Sequence, residues 1–427
     1  MESTQSSTTA RRRTLAAGIS GNVMEWYDFA VYGFFAPIVA RLFFPDDNAV
    51  LSLVAAYGAF AAGFLMRPLG AIVFGHIGDR YGRKRALLVS VSLMAIPSLC
   101  ISFLPTYQDI GIWAGVFLVL LRMAQGIAVG GEYTTSIVYL AESAPKGRRG
   151  YFASWALFGA NAGILLGSLV GAGLSAAFPA DVLQDWGWRI PFFCGIFVAI
   201  TSYFIRRGIT VEAQSRTLKF PLAEAIRHHW QPLLIVIFLN SGFAVLLYTG
   251  YIYLAGWLVS EVGETHAEAM TINSIGMFAL ILMVPFFAIL SDRVGRKPLM
   301  FVGFSALVVL AHPLAWAMSH PDPRIILAGQ LVYSLFMALF MAPLPATLTE
   351  LFPSKVRVTA VGIGYNISFG IFGGTAPMIA TWLVGTTKDP TFFAWYVMAM
   401  ALLSLITMFF LKETAQTENL GASEEAS

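Results

Sequence analysis

The chain has 427 residues, of which 57% are hydrophobic, 14% are aromatic and only 12% are charged, and its formal net charge is +3. Soluble domains carry about 25% charged residues, so this composition excludes an ordinary soluble protein and predicts one that lies in a membrane. The two cysteines, Cys100 and Cys194, lie in apolar segments and provide neither a disulfide framework nor a metal-ligand spacing.

Twelve apolar stretches are long enough to cross a bilayer, whose core of about 30 Å takes about 20 helical residues. The fold class predicted is therefore an all-α membrane protein with twelve transmembrane helices. The predicted spans are Leu15–Phe44, Leu51–Ile77, Ala86–Leu104, Ile110–Leu140, Tyr151–Phe178, Trp188–Ile205, Pro232–Val259, Ala269–Leu290, Leu299–Met318, Ile325–Thr349, Val358–Val384 and Phe392–Leu411.

The basic residues lie mostly on one side of these spans. Of the 27 lysines and arginines, 21 fall in segments that share a side with the N-terminus, and the positive-inside rule places both termini in the cytoplasm. Residues 1–14 are predicted to be a polar cytoplasmic tail rather than a signal peptide, because no apolar core precedes Arg11. Residues 412–427 are acidic and polar, and we expect them to be a disordered tail.

A charged loop motif occurs twice. Asp79–Arg85 follows the second span and Asp292–Pro298 follows the eighth, 213 residues later and on the same side of the membrane. This spacing predicts a parallel repeat of two six-helix bundles, residues 15–205 and 231–411, joined by a basic cytoplasmic linker at 206–230.

These loops give the chain a resemblance to the major facilitator superfamily. Its signature, Gly-x-x-x-Asp-Arg-x-Gly-Arg, is matched at Gly75, Asp79, Arg80, Gly82 and Arg83. The resemblance implies a cytoplasmic gate in which Asp79 accepts backbone amides or pairs with an arginine across the two halves. The gate residues implied are Gly75, Asp79, Arg80, Gly82, Arg83, Asp292, Arg293, Gly295 and Arg296.

A narrower resemblance is to the metabolite:proton symporter family. It rests on Gly21–Phe29, Phe64–Gly70, Gln125–Gly126, Gly130–Tyr133 and Trp186–Phe193. Members of that family carry dicarboxylates, tricarboxylates, shikimate, proline or betaines inward with protons. The resemblance therefore implies transport by alternating access, without naming one substrate.

Five ionisable residues lie within spans of the first half: Glu25, Asp28, Arg67, Arg122 and Glu132. A charge at the centre of a bilayer costs about 2.5–3.5 kcal/mol on insertion scales, so such residues persist where they pair, titrate or meet a polar ligand. A carboxylate whose pKa depends on the pairing of a nearby arginine can exchange protons near neutral pH. We therefore predict proton coupling by the three acids. The alternative is a fixed ion pair that holds the helices together.

Arg122 is the leading candidate for contact with a substrate carboxylate, because its planar guanidinium suits that group. It can instead form a static pair with Glu132 or Asp28. The predicted substrate-binding residues are Arg122, Arg67, Gln125, Tyr27, Tyr32, Tyr57, Asn161, Asn240, Tyr248, Tyr251, Tyr365 and Asn366. Aromatic rows in membrane helices also serve packing, and the same rings attract quaternary ammonium groups.

The function predicted is a proton-coupled symporter that imports a small carboxylated metabolite, such as a di- or tricarboxylate. A proline or betaine importer is the alternative, and a drug-efflux antiporter is disfavoured by the polar site. The sequence contains no nucleophile–base pair, metal cluster or phosphate-binding loop, so no enzyme, cofactor or metal site is predicted. The expected partners are a small solute, protons and lipid, without nucleic acid, for a monomer in a bacterial inner membrane.

Overall fold

The computed structural model describes residues 22–81, 83–207 and 221–415, and these residues form twelve membrane-crossing helices in two bundles. The first bundle contains α1 (22–34 and Ala36–Phe43), α2 (Ala49–Leu65 and Arg67–Tyr81), α3 (Arg83–Phe103), α4 (Ile112–Val129 and Glu132–Glu142), α5 (Arg149–Ala177) and α6 (Arg189–Arg207).

The second bundle contains α7 to α12. Its helices are α7 (Trp230–Leu247, Tyr248–Tyr253, Leu254–Trp257 and Leu258–Val262), α8 (His266–Val294), α9 (Arg296–Met318), α10 (Pro323–Met341 and Leu344–Glu350), α11 (Arg357–Ile367, Ser368–Gly373 and Gly374–Thr387) and α12 (Phe393–Phe410). Short helices occupy connections at Tyr107–Ile110, Ala180–Val182, Leu183–Gly187 and Pro221–His228.

Each predicted span coincides with one of these helices, and the boundaries within the described residues agree within about four residues. The predicted fold class is confirmed. Nine helices among the described residues are long and apolar enough to cross a membrane by themselves, and Val89–Phe103 is a shorter apolar helix. Of the predicted linker, residues 208–220 lie outside the described part, while Pro221–His228 is helical.

Several helices lose their regular geometry near the middle of the bilayer. Two breaks, at Met66 in α2 and at Gly130 in α4, interrupt helices of the first bundle, and α7 and α11 contain π-helical turns at Tyr248–Tyr253 and Ser368–Gly373. A Cβ atom on Gly130 would lie 2.2 Å from the Arg67 carbonyl oxygen, so the two breaks meet only because Gly130 has no side chain. Such irregularities often mark functional sites.

The outer end is closed by contacts between the bundles. Asn273 of α8 donates to the Ser168 hydroxyl of α5 at 3.1 Å, and Ser274 donates to the same hydroxyl at 2.8 Å. The rings of Tyr57 in α2 and Tyr253 in α7 face each other at 6.4 Å between centroids. These short polar and aromatic contacts hold α5 against α8 and α2 against α7.

The cytoplasmic end is closed by charged residues. Asp292 of α8 accepts the backbone N–H groups of Gly150 and Tyr151, at 2.8 and 2.9 Å, at the start of α5 in the other bundle. A carboxylate is stabilised there by the unpaired N–H groups and the helix dipole. Arg357 of α11 also donates to Glu142 of α4. With both ends closed, the molecule is in an occluded arrangement.

Arg296 reinforces the same closure from within the second bundle. Its guanidinium pairs with Asp292 at 2.7 Å and with Glu350 at 3.3 Å. Gly295 has φ +103°, which favours glycine, and it turns the chain between α8 and α9. Arg293 in the same motif is exposed to solvent.

The first copy of the loop motif is only partly described. Gly82 lies outside the described residues, and nothing is described of the side chains of Asp79, Arg80 and Arg83, nor of the surroundings of Gly75. Asp292 makes the backbone-amide contact that was expected of Asp79. The gating role of the first copy stays a prediction.

The start of the C-terminal tail differs from the prediction of disorder. The Glu413 carboxylate accepts the backbone N–H groups of Arg296 at 2.8 Å and Lys297 at 3.0 Å, and the Thr414 hydroxyl donates to Glu350 at 2.6 Å. The first N–H groups of α9 have no partner within the helix, so a nearby carboxylate binds them. Partial burial alone raises the pKa of Glu413, but these backbone donors outweigh burial and hold its pKa below the usual value.

Replacing Asp292 with alanine is expected to open the cytoplasmic end, because α5 loses its cap and Arg296 loses a partner. The open population should rise about tenfold. Spin labels at Ser143 and Ser354, exposed positions of the first and second bundles, would report the distance by pulsed electron paramagnetic resonance in a protein lacking Cys100 and Cys194. Arg293→Ala is the matched control, and an unchanged distance in Asp292→Ala would contradict the closure described here.

Glu413→Gln is expected to lower the melting temperature at pH 7 and to matter little below pH 4. A carboxyl group whose pKa is lower in the folded than in the unfolded protein stabilises the fold at pH values above its unfolded-state pKa. That stabilisation is lost as the pH falls through the folded-state pKa. Thermal unfolding in detergent at both pH values tests this expectation. Glu261→Gln, an exposed control, should show no such pH dependence, and equal losses at both pH values would contradict the role assigned to the Glu413 carboxylate.

Candidate functional site

An ion pair between α1 and α2 lies at the centre of the first bundle. The Arg67 guanidinium donates to the Glu25 carboxylate at 2.8 Å, and the two side chains are only 2% and 4% exposed. The Nε atom of Arg67 donates to the Asn366 amide oxygen of α11 at 3.3 Å. Two of the five ionisable residues that the sequence places within apolar spans are therefore paired, and the pair also contacts the second bundle.

Arg122 of α4 lies fully buried between two rings of α1. Its guanidinium carbon is 4.5 Å from the Phe29 ring centroid and 4.4 Å from that of Tyr32, distances at which cation–π attraction operates. Nη1 donates to Gln125 at 2.7 Å, and Gln125 in turn donates to Ser98 at 2.7 Å. Nε and Nη2 have no hydrogen-bond partner among the described residues. Two nitrogen atoms thus remain to donate to an oxyanion.

Asp28 lies near Arg122 but is not bonded to it. Neither carboxylate oxygen has a hydrogen bond of ordinary geometry in the described part of the chain, although the Ser98 hydroxyl lies close enough to donate and Arg122 lies close enough to act on the charge. Gly195 of α6 leaves room here, since a Cβ atom would lie 2.7 Å from one oxygen. An ionised carboxylate buried without donors is costly. A bound proton or an approaching guanidinium would relieve that cost.

Aromatic side chains from both bundles pack beside these charges. Trp26 of α1 lies parallel to Tyr248 of α7, with 6.3 Å between centroids and 13° between planes. Phe369 of α11 meets the edge of Trp26 at 5.9 Å and stacks on Tyr365 at 4.1 Å. The central aromatic cluster, as we name it, comprises Trp26, Phe60, Phe64, Tyr133, Tyr248, Tyr365 and Phe369.

The central aromatic cluster contains polar atoms without partners. Within the described residues, the Trp26 indole nitrogen and the Tyr248 and Tyr365 hydroxyls are buried and have no hydrogen bond. Each unsatisfied group costs about 1–3 kcal/mol. A ligand with polar atoms that enters the cluster would recover part of that free energy.

Most of the cluster was not among the predicted site residues. The sequence pattern does not single out Trp26, Phe60, Phe64, Tyr133 or Phe369, because aromatic side chains are common throughout these helices. Sequence features nevertheless point to four of these five residues as members of the site. Trp26 and Tyr133 lie in the family-like segments, and Phe60 and Phe64 precede Arg67 by seven and three residues, on one face of α2.

Three predicted residues bind within their own bundle. The Tyr27 hydroxyl donates to the Pro191 carbonyl of α6 at 2.8 Å, and the Tyr251 hydroxyl donates to Ser334 of α10 at 2.8 Å. The Asn161 amide donates to the Leu157 carbonyl of its own helix at 2.9 Å. These contacts engage the three polar groups with other parts of the protein, and their role in binding stays a prediction.

Three further predicted residues either contact Arg122 or have a buried polar atom without a hydrogen bond in the described part of the chain. Tyr32 donates to the Ala56 carbonyl at 2.9 Å while its ring covers Arg122. The Asn240 amide nitrogen is bonded within α7, and its oxygen has no partner among the described residues. The Tyr57 hydroxyl, toward the outer end, likewise has no hydrogen-bond partner among the described residues. The Glu132 side chain is not among those described, so its pairing with Arg122 remains a prediction.

Both halves of the chain match known family models. The family model described as Sugar (and other) transporter matches residues 14–209, and the model described as Major Facilitator Superfamily matches residues 237–427. In solved structures, the D-xylose-proton symporter superimposes with a TM-score of 0.77 at 20% identity, covering 95% of this chain and 98% of that one. The inward-open xylose transporter XylE from Escherichia coli gives a TM-score of 0.72 at 19% identity, covering 95% and 97%.

Curated relatives match over nearly the whole chain. The glycine betaine/proline/ectoine/pipecolic acid transporter OusA of Dickeya dadantii is 34% identical, over 97% of this chain and 86% of its own. The proline/betaine transporter of Escherichia coli has the same identity and coverage. The alpha-ketoglutarate permease of Escherichia coli is 34% identical over 96% of this chain and 95% of its own.

These relatives are transporters rather than enzymes, and their bacterial origin together with the apolar helices places the protein in the inner membrane as a multi-pass protein. The chain belongs to the major facilitator superfamily and, within it, to the metabolite:proton symporter family of proton-coupled transporters.

Proposed function

We propose that this protein imports a zwitterionic compatible solute of the proline or betaine type together with protons. The relatives support this alternative better than the predicted import of a di- or tricarboxylate, since the proteins named for proline and betaine include OusA and the transporters of Salmonella typhimurium and Escherichia coli. The observation that carries the proposal is the position of Arg122, with two unbonded nitrogen atoms, beside an aromatic cluster shared by both bundles.

The charge of the site favours a neutral solute. Glu25 and Asp28 balance Arg67 and Arg122, the buried ionisable residues described at this level. A zwitterion leaves that balance unchanged when it binds. A dianion would need a further cation, because Arg67 is already paired with Glu25. An unbalanced charge in low dielectric is costly.

The two ends of a zwitterion match the two parts of the site. Its carboxylate would accept from Nε and Nη2 of Arg122, as a planar fork suits that group. Its quaternary or secondary ammonium would lie against Trp26 and Tyr248, whose ring faces attract cations by about 0.5–2 kcal/mol. The parallel rings would separate to admit the group, which requires the bundles to move apart from the occluded arrangement.

Proton coupling would use the acids of α1. A proton on Asp28 removes the cost of its buried charge and frees Arg122 to bind the solute carboxylate. The site then carries one positive charge, that of the transported proton, and the zwitterion adds no further net charge. Loss of that proton toward the cytoplasm would restore attraction between Asp28 and Arg122, which competes with the solute and favours release. Transport then follows from the two bundles rocking about this site while the outer and cytoplasmic contacts open in turn.

An organic acid is the second candidate substrate. The alpha-ketoglutarate permease is as similar as the proline and betaine transporters, and protonation of Glu25 would release Arg67 as a second guanidinium for a second carboxylate. The two candidates therefore differ in whether Arg67 contacts the bound substrate.

Purified protein is expected to be stabilised by proline or glycine betaine and not by 2-oxoglutarate. Ligand at 100 times its Kd stabilises the folded state by about 2.7 kcal/mol, which a thermal-shift assay resolves. Cells should take up proline and glycine betaine but not 2-oxoglutarate, and a protonophore should abolish this uptake. Addition of either solute should make the medium more alkaline. Stabilisation by 2-oxoglutarate alone would support the second candidate and refute the first.

Trp26→Leu is expected to raise the KM for glycine betaine about tenfold, because a cation–π contact is lost, with a smaller change in the maximal rate. Arg122→Lys should abolish saturable uptake, because lysine lacks the planar fork. Transport kinetics in proteoliposomes measure both. Trp316→Leu, at a lipid-facing tryptophan that is 72% exposed, is the matched control. An unchanged KM in Trp26→Leu would contradict an ammonium site in the cluster.

A further inference from the structure

The side chain of Asn366 connects α11 of the second bundle to two helices of the first. Its amide oxygen accepts from Nε of Arg67 at 3.3 Å, and its amide nitrogen donates to the Gly130 carbonyl of α4. Arginine Nε only donates and a carbonyl only accepts, so this orientation of the amide is required by the chemistry of its partners. Through Arg67 the hydrogen bonds continue to Glu25. Four helices are thereby linked.

All three contact points lie where a helix is irregular. Arg67 begins the second segment of α2, Gly130 separates the segments of α4, and Asn366 stands two residues before the π-helical turn Ser368–Gly373 of α11. Backbone carbonyls at such breaks need partners outside the regular ladder. A small change in one helix can therefore break the amide contacts without unfolding the others.

The two hydrogen bonds of Asn366 lie on the cytoplasmic side of α11 and belong to the contacts that close this end. Asn366 is 2% exposed and lies in the half of α11 that begins at the cytoplasmic end with Arg357. Buried hydrogen bonds are strong in a low dielectric and costly to leave unmade. Separation of the bundles on this side must break both bonds of Asn366.

We propose that Asn366 is a positioning residue that makes closure of the cytoplasmic end depend on the Glu25–Arg67 ion pair. While Glu25 is ionised, it holds Arg67 so that Nε faces Asn366, and α11 stays against α2 and α4. When Glu25 takes up a proton, Arg67 loses its anionic partner, Nε leaves Asn366 and α11 is released. The groups that also face the pair are Tyr133, Tyr248 and Tyr365.

This role differs from the predicted contact between Asn366 and substrate, because both polar groups of the amide already bind protein. It rests on the proposed function only in naming a proton as the trigger. The link between the ion pair and the closure exists in the protein without any solute. It can therefore be tested separately.

A double-mutant cycle with Glu25→Gln and Asn366→Ala tests the link. Spin labels at Ser143 and Ser354, with Cys100 and Cys194 replaced, report the separation of the cytoplasmic ends without solute. Each single variant is expected to raise the open population about tenfold. The double variant should open no further than Asn366→Ala alone, because that variant already breaks the connection that Glu25→Gln weakens.

Thr381→Val is the matched control, since Thr381 is a buried polar residue of the same helix whose hydroxyl donates to the Pro377 carbonyl of α11. It should behave as the wild type. Asn366→Asp keeps an acceptor for Arg67 and loses the donor to Gly130, so it should open less than Asn366→Ala. This variant also serves as the test if the alanine variant does not fold.

Two outcomes would overturn the inference. Additive opening in the double variant would mean that Asn366 holds the bundles independently of the ion pair, and wild-type distances in both Asn366 variants would mean that it does not hold them at all. Neither outcome concerns the solute. Failure of proline and betaine to bind would instead refute the proposed function and leave this cycle unaffected.

Discussion

The contact on which the structure depends is the ion pair between Arg67 and Glu25, buried where the hydrocarbon core offers no water. A guanidinium there must be bonded on several sides, and it obtains those bonds from both bundles. The pair therefore does more than join α1 to α2. Because one of its partners is Asn366, the charge state of the first bundle bears on whether the second bundle stays in place.

The two closed ends use different chemistry, and this difference suits alternating access. The outer end relies on hydroxyl and amide bonds between α5 and α8, whereas the cytoplasmic end relies on a carboxylate, Asp292, at the start of α5. The carboxylate contacts at the cytoplasmic end are sensitive to changes in nearby charge. The site between them has two arginines in unlike states, one paired with an acid and one with free donors, so solute and proton can act on separate groups.

Much of the architecture was predictable because hydropathy is a local property. A window of about 20 residues identified each helix, and the repeated loop motif predicted two bundles. The ionisable residues of the first half were predictable too, since charges in apolar segments are rare. By contrast, Tyr27 and Tyr251 are predicted to bind substrate, and only packing shows that their hydroxyls donate to Pro191 and Ser334.

The sequence by itself determined the twelve crossings, their orientation and the acids and arginines available at the centre, because each follows from the cost of placing a residue type in lipid. The tertiary structure decided which partners those residues have. Arg67 and Asn366 are 299 residues apart, and no local pattern states that they meet. The same applies to the central aromatic cluster, since the face that each ring presents depends on the breaks and π-helical turns that rotate one helix segment against the next.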